Sequence, residues 1–499
     1  MTTVATAPAG LTFRSSQGRW VLVATVLGSG LAAIDATVVG IALPAMGKGF
    51  DVDLAALQWV VTAYTLTLAG LLLVGGALGD RFGRRTVFVI GVVGFAAASL
   101  LCGIAPDIRT LIAARALQGV GGALLTPGSL AILQASFTPE DRGKAIGAWS
   151  GLGGVATALG PFLGGWLIET ASWRLIFYIN LPLAALVVWL AVRHVPETRD
   201  PQADGPVDAL GGALVTVALV GITYGLITGP GAGWTAPEVL IGLIGGAALG
   251  VAFVVRERRT GSPILPLELF RSRGFTVTNL VTFVVYGALG GVLFLLPIQL
   301  QQVGGFSAVA AGVSLLPVTL IMLLLSTRSG ALAARIGPRW QMSIGPVVTG
   351  LGLVLLVRVG ADAEYAKHVL PAVVVLGLGL SIVVAPLTAT VLAAAPAEHA
   401  GAASAVNNDV ARAAGLIAVA VLPAAAGIGG SAYLQPGAFD AGFDKAVMIS
   451  GVLCVLGGLL SLVALPSRRP ARIPAPRPAP RSTAHCGLDA PPLCHEVDH

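Results

Sequence analysis

Charge is what this sequence has least of. Across 499 residues only 11% are Asp, Glu, Lys or Arg, against about 25% in a soluble domain, whose surface must face water. Its 30 basic and 24 acidic residues cannot coat two or three globular domains, so lipid is the solvent to expect. Cysteine and histidine are scarce too, at four and six. Cys102 and Cys454 fall in apolar runs, where a thiol behaves as a small hydrophobe. His485-Cys486, Cys494-His495 and His499 lie near the C-terminus, but their spacing matches no familiar zinc site, and no metal or other cofactor is expected. With every histidine outside the apolar runs, nothing reads as the nucleophile and base of an intramembrane hydrolase. A Gly-x-x-x-x-Gly-Lys-Ser/Thr loop is missing, which excludes nucleotide hydrolysis by that device.

What is abundant is apolar sequence: 55% hydrophobic residues, a mean hydropathy of +0.86, and 66 glycines without a collagen period. A membrane helix needs roughly 20 mainly apolar residues. Such runs fall near 20–43, 57–77, 86–105, 109–133, 143–168, 175–193 and 207–228. They continue near 238–255, 275–297, 308–326, 340–359, 370–394, 401–426 and 446–465, which makes fourteen spans of an all-α, multi-pass membrane protein. Cytoplasmic loops collect Lys and Arg. With the N-terminus inside, 22 basic residues fall inside against six outside (Lys48, Arg109, Arg174, Arg358, Lys367 and Lys445). Dropping one span would invert every later loop and destroy this bias, so both termini are expected in the cytoplasm, at the cell membrane. The net charge of +6 is spent on topology, and no nucleic-acid partner is implied.

The first 19 residues are soluble in character and the first apolar run is full length, so it reads as a retained anchor rather than a cleaved signal. Residues 467–499, rich in Pro and Arg, are too polar and broken to pack and are expected to be a disordered cytoplasmic tail.

A repeat orders the spans. After the second stands Gly76-Ala77-Leu78-Gly79-Asp80-Arg81-Phe82-Gly83-Arg84-Arg85; after the tenth stands Gly330-Ala331-Leu332-Ala333-Ala334-Arg335-Ile336-Gly337-Pro338-Arg339. Six of ten positions are identical. Transporters are commonly built from two related halves with substrate bound between them. The division expected is a cytoplasmic segment 1–19, a six-helix bundle 20–193, a linker 194–273 with two extra spans, and a second six-helix bundle 274–466.

The first copy of the repeat resembles the signature loop of the major facilitator superfamily. Ile34-Asp35-Ala36-Thr37-Val38-Val39-Gly40-Ile41-Ala42-Leu43-Pro44 is similar to the first-span motif of its fourteen-span drug:proton antiporters, with Gly40 where that group usually has Asn. Arg115-Ala116-Leu117-Gln118-Gly119, Gly151 through Gly160-Pro161-Phe162-Leu163-Gly164-Gly165, and Trp173 through Asn180-Leu181-Pro182 match the group's other motifs in order. The resemblance covers roughly residues 20–465. It implies the major facilitator fold and a proton-coupled antiporter, not an enzyme, that exports amphipathic drugs or related small molecules as a multidrug efflux protein. An exporter dedicated to one endogenous metabolite or lipid is the alternative; a non-transporting enzyme or sensor has no support. A monomer is expected.

Asp35 and Arg115 lie within spans, roughly 10–12 Å below the outer surface at about 1.5 Å per residue. A carboxylate at that depth is costly unless it is paired, protonated or in a watery cavity. One that faces each side of the membrane in turn can bind and release a proton; the plain alternative is a static ion pair that locks two helices. Asp409 and Arg412, three apart in the thirteenth span, are the rival proton site, or pair with each other within one helix. Gln118, Tyr64, Asn180 and Asn407 are expected on the wall of the substrate cavity. With few acidic groups there, neutral or singly charged cargo fits better than dications. The resemblance makes Asp80, Arg81, Gly83, Arg84 and Arg85 a conformational latch, with Ala334 replacing Asp80 in the second copy. Gly151, Gly160, Pro161, Gly164 and Gly165 form the antiporter motif, where a missing helical hydrogen bond and small residues allow a tight, bendable contact.

Overall fold

A computed structural model describes residues 10–200, 208–261, 263, 265–396, 400–429, 433 and 435–465; the expected tail with its Cys/His pairs lies outside them. Fourteen helices among the described residues are long and apolar enough to span a membrane. They are α1 Ser16–Phe50, α2 Leu54–Phe82, α3 Arg84–Ile104, α4 Ile108–Ser136, α5 Pro139–Thr170, α6 Leu175–His194 and α7 Ala209–Ala232. The others are α8 Pro237–Glu257, α9 Arg273–Val303, α10 Ala308–Ile336, α11 Pro338–Arg358, α12 Tyr365–Ala393, α13 Gly401–Ala425 and α14 Pro436–Ala464.

Helices are the natural solution in lipid, because they satisfy their backbone groups internally. Their orphan first-turn amides are met by polar side chains at the edges: Asp53 accepts from Ala56 at 3.0 Å and Asp107 from Thr110 at 2.9 Å. Several helices overrun the apolar runs. His194 closes α6 and His368 falls in α12, so these two histidines are not outside the spans. Because α1 continues to Phe50, Asp35 lies fifteen residues from that end rather than eight, about 22 Å along the axis.

The two halves repeat one packing pattern. In the first, α1 packs on α5 and α6, α2 on α4, and α3 on α4 and α6; in the second, α9 packs on α13 and α14, α10 on α12, and α11 on α12 and α14. The repeated loop occupies equivalent corners. Gly83 (φ +113°) separates α2 from α3, and Gly337 (φ +87°) separates α10 from α11. Arg85 donates to the Val195 carbonyl just past α6 at 3.2 Å, and Arg339 to the Leu462 carbonyl near the end of α14 at 2.8 Å. The extra helices α7 and α8 pack on each other, and α7 leans on both α2 and α13. A clip holds the pair together: Arg256 donates to Asp208 at 2.7 Å, which keeps that carboxyl below the usual carboxylate range.

The start of α1 and the end of α14 share one face, here the terminal face; the other is the far face. Hydrogen bonds between the two bundles, among the described residues, lie toward the far face: Gln58 to the Val419 carbonyl at 2.6 Å, Gln301 to the Ile41 carbonyl at 3.0 Å, and the Val309 amide to Glu169 at 2.7 Å. Toward the terminal face, Gly143, Gly147, Gly151 and Gly154 of α5 face open space. The hydrogen bonds that join the bundles thus gather toward one end, and toward the other these α5 glycines meet no neighbouring atoms.

Candidate functional site

Asp35 sits at 1% exposure in the heart of the first bundle. Its position on α1 points it at α3, α4 and α6, and each supplies a partner or supports one. Arg115 of α4 donates to Oδ2 at 2.5 Å. One turn along α4, Gln118 donates to Oδ1 at 2.8 Å, and Asn180 of α6 adds a third bond at 3.2 Å. Ser99 of α3 accepts from both amides, at 3.3 and 3.0 Å, and passes its own proton to the Phe177 carbonyl at 2.9 Å. Arg115 is tied in turn to the Gln118 carbonyl oxygen at 2.6 Å and the Val60 carbonyl at 3.2 Å. Its guanidinium lies 4.3 Å from the centre of the Tyr64 ring, where the ring face attracts a cation.

Such completeness is what a buried ion pair requires, since desolvation otherwise outweighs the Coulomb attraction. One atom breaks the pattern: Asn180 Oδ1 is buried without a partner. Gln118, Tyr64 and Asn180, expected on the wall of the substrate cavity, are instead at most 4% exposed and form this cage. Ser99 was not singled out from the sequence; a serine in an apolar span carries no signal until its neighbours are known.

The second bundle holds a smaller polar cluster. Asn407 of α13 donates to Asn279 at 3.0 Å and Thr282 at 2.8 Å, both on α9. Asp409 and Arg412 do not form the expected intrahelical pair: no salt bridge joins them among the described residues, and Asp409 Oδ1 is buried without a hydrogen bond. Three residues apart, the two lie on one helix face, but their charged ends meet only if both rotamers converge.

At the α2–α3 corner, Asp80 is engaged within its own loop, accepting from Arg84 at 2.8 Å. Arg81 lies over the Phe82 ring, 5.4 Å from its centre. A residue the sequence did not flag organises the corner. Glu197, just past α6, accepts from the Arg85 and Thr86 amides at 3.0 and 3.1 Å and from the Thr86 hydroxyl at 2.5 Å. A carboxylate on the first amides of α3 also meets the positive end of the helix dipole. In the antiporter motif, Gly160 and Gly164 let α1 approach α5, while Gly165 and Pro161 lie against Val309 and Gly312 of α10. One stretch of α5 therefore touches both bundles, whereas Gly151 touches neither.

The sequence profile of the Major Facilitator Superfamily matches residues 25–420. The chain belongs to the major facilitator superfamily. It is 36% identical over 409 residues to the methylenomycin A resistance protein of Bacillus subtilis, covering 82% of this chain and 87% of that one. It is 37% identical to the tetracenomycin C resistance and export protein of Streptomyces glaucescens, with 80% and 74% covered. A peptide transporter crystallised with sulfate superposes with a TM-score of 0.67 at 17% identity, over 91% of this chain and 96% of that one. A D-xylose–proton symporter gives 0.61 at 16%, over 91% and 99%. This superfamily member is a multi-pass membrane transporter of the drug-efflux kind, not an enzyme.

Proposed function

We propose that the chain is a proton-coupled antiporter exporting amphipathic small molecules by alternating access. The observation that carries this reading is the Asp35 cage: an intramembrane carboxylate with an arginine, two amides and a hydroxyl around it. Intramembrane ionisable groups are functional by default. A protonated Asp35 would bring a donor into a cage where the Asn180 oxygen has no partner, which supports a carboxyl that changes protonation state. Asp409, buried without a partner on one oxygen, is the second candidate to carry a proton or a cationic cargo, with Asn407 and Arg412 beside it.

The excess of basic residues supports a cytoplasmic terminal face, with both termini inside. On that reading the hydrogen-bonded end faces outward, and the open space beside α5 toward the cytoplasmic end supports an inward-facing arrangement. An Asp80 held by Arg84 then fits a latch that is released in this state and engages the other bundle when the cytoplasmic side closes. The residue ranges 20–193 and 274–466 serve as the two moving bundles of a monomer, with 194–273 as their linker. The relatives named for resistance support antibiotics or related lipophilic compounds as cargo. The relative named for tetracenomycin C export favours a second reading, export of one endogenous product.

The test is cargo efflux and proton release in inverted vesicles, with and without a protonophore. Coupled efflux that Asp35→Asn abolishes is expected; undiminished coupling in that variant overturns the role of Asp35. A susceptibility panel in an efflux-deficient host separates broad from single-product export.

A further inference from the structure

Pro423 stands inside α13. A proline has no N–H, so the carbonyl four residues earlier loses its helical donor; here that carbonyl belongs to Val419. The Gln58 side chain of α2 takes the vacant place, donating at 2.6 Å, with the Ala420 carbonyl 3.5 Å from the same nitrogen. Gln58 is 5% exposed and Val419 4%, so both groups are buried in this arrangement. The other hydrogen bonds between the bundles involve more exposed side chains, Gln301 and Glu169. Beside the buried one lies a cavity of about 280 Å³, lined by Asp53, Gln58 and Trp59 of the first bundle, Thr228 of α7, and Ala420 and Ala424 of α13.

We infer that Gln58 is a positioning residue of the transport cycle, a bolt that holds the far face closed through an acceptor Pro423 creates. Its donor and acceptor belong to different bundles, so the bond exists only while α2 and α13 are together. When they part, water entering from the cavity side solvates both groups. The bond is exchanged rather than lost, which gives it the modest net worth suited to biasing a two-state equilibrium. The inference rests on the alternating-access reading above.

The experiment uses the full chain in lipid nanodiscs with its four native cysteines replaced by alanine. Spin labels at Ala171 and Ala361, exposed far-face residues of the two bundles, report far-open and far-closed distances by pulsed electron resonance. Gln58→Met keeps the length and removes the donor; it raises the far-open to far-closed ratio roughly five- to ten-fold. Pro423→Ala restores a helical donor to Val419 and shifts the ratio the same way, and the double variant goes no further than the larger single. An unchanged ratio in Gln58→Met, or a double shift equal to the product of the singles, overturns the bolt. Gln58→Met leaves the backbone intact and decides the matter where Pro423→Ala fails to fold. A chain that reaches no far-open distance in any variant, with or without cargo, overturns alternating access itself, and the bolt with it.

Discussion

Asn180 donates to Asp35 at 3.2 Å while its own Oδ1 stays buried and unpartnered. A buried polar atom without a partner is costly. A carboxylate that takes up a proton gains a donor for it. The pair therefore bears directly on whether the cage is a lock or a proton site.

The two roles separate by double substitution. Asp35→Asn leaves Arg115 as an uncompensated buried charge, which costs about 3–5 kcal/mol and lowers Tm. Asp35→Asn with Arg115→Gln removes both charges and recovers most of that stability. Under the proton reading, coupled efflux stays absent in the double variant although its Tm returns. A double variant that regains coupled transport assigns the pair a structural role only. Thermal unfolding in detergent, run beside vesicle efflux, makes the comparison.

The fold was legible because its signals are long-range in sequence and simple in chemistry. Apolar runs, the inside excess of arginine and the repeated Gly76–Arg85 loop all survive without knowledge of contacts. Asp35 and Arg115 were legible for a related reason, since charge inside an apolar run has few explanations. Burial within one bundle was not: Gln118, Tyr64 and Asn180 are polar residues on helices that could face a cavity or a neighbour, and helix rotation decides which. Glu197 was hidden because an acidic residue beyond a span looks like any solvated loop. Gln58 was hidden because its partner is a carbonyl, exposed by a proline more than three hundred residues away.

The Gly83 corner yields a stability prediction. With φ +113° and ψ 125° it occupies a region that residues with a Cβ avoid, at a cost of about 1–3 kcal/mol. A Cβ there would also lie 2.7 Å from Glu197 Oε1, displacing the cap of α3. Gly83→Ala therefore lowers Tm, and Glu197→Ala lowers it too, through the loss of a helix cap that stabilises by about 1 kcal/mol. Because both act through the same contact, the double variant falls short of the sum. Full additivity in thermal melts would disconnect Glu197 from the corner.

The last prediction concerns the extra helices. Arg256 bonds hold the Asp208 carboxyl below its usual value of 3.8, so the folded state prefers the ionised form. Stability from this clip is fully present above that usual value and is lost as pH falls through the lowered folded value. Asp208→Asn has no such charge to lose. At neutral pH it melts a few degrees below the wild type, and the gap narrows as the medium is acidified below about 4. Arg256 is 35% exposed, so salt screens part of the effect and the gap at neutral pH shrinks in high salt. A gap that stays constant from neutral to acidic pH would mean that the Asp208 charge contributes nothing, leaving only its cap on the first turn of α7, the Gly211 amide at 2.9 Å.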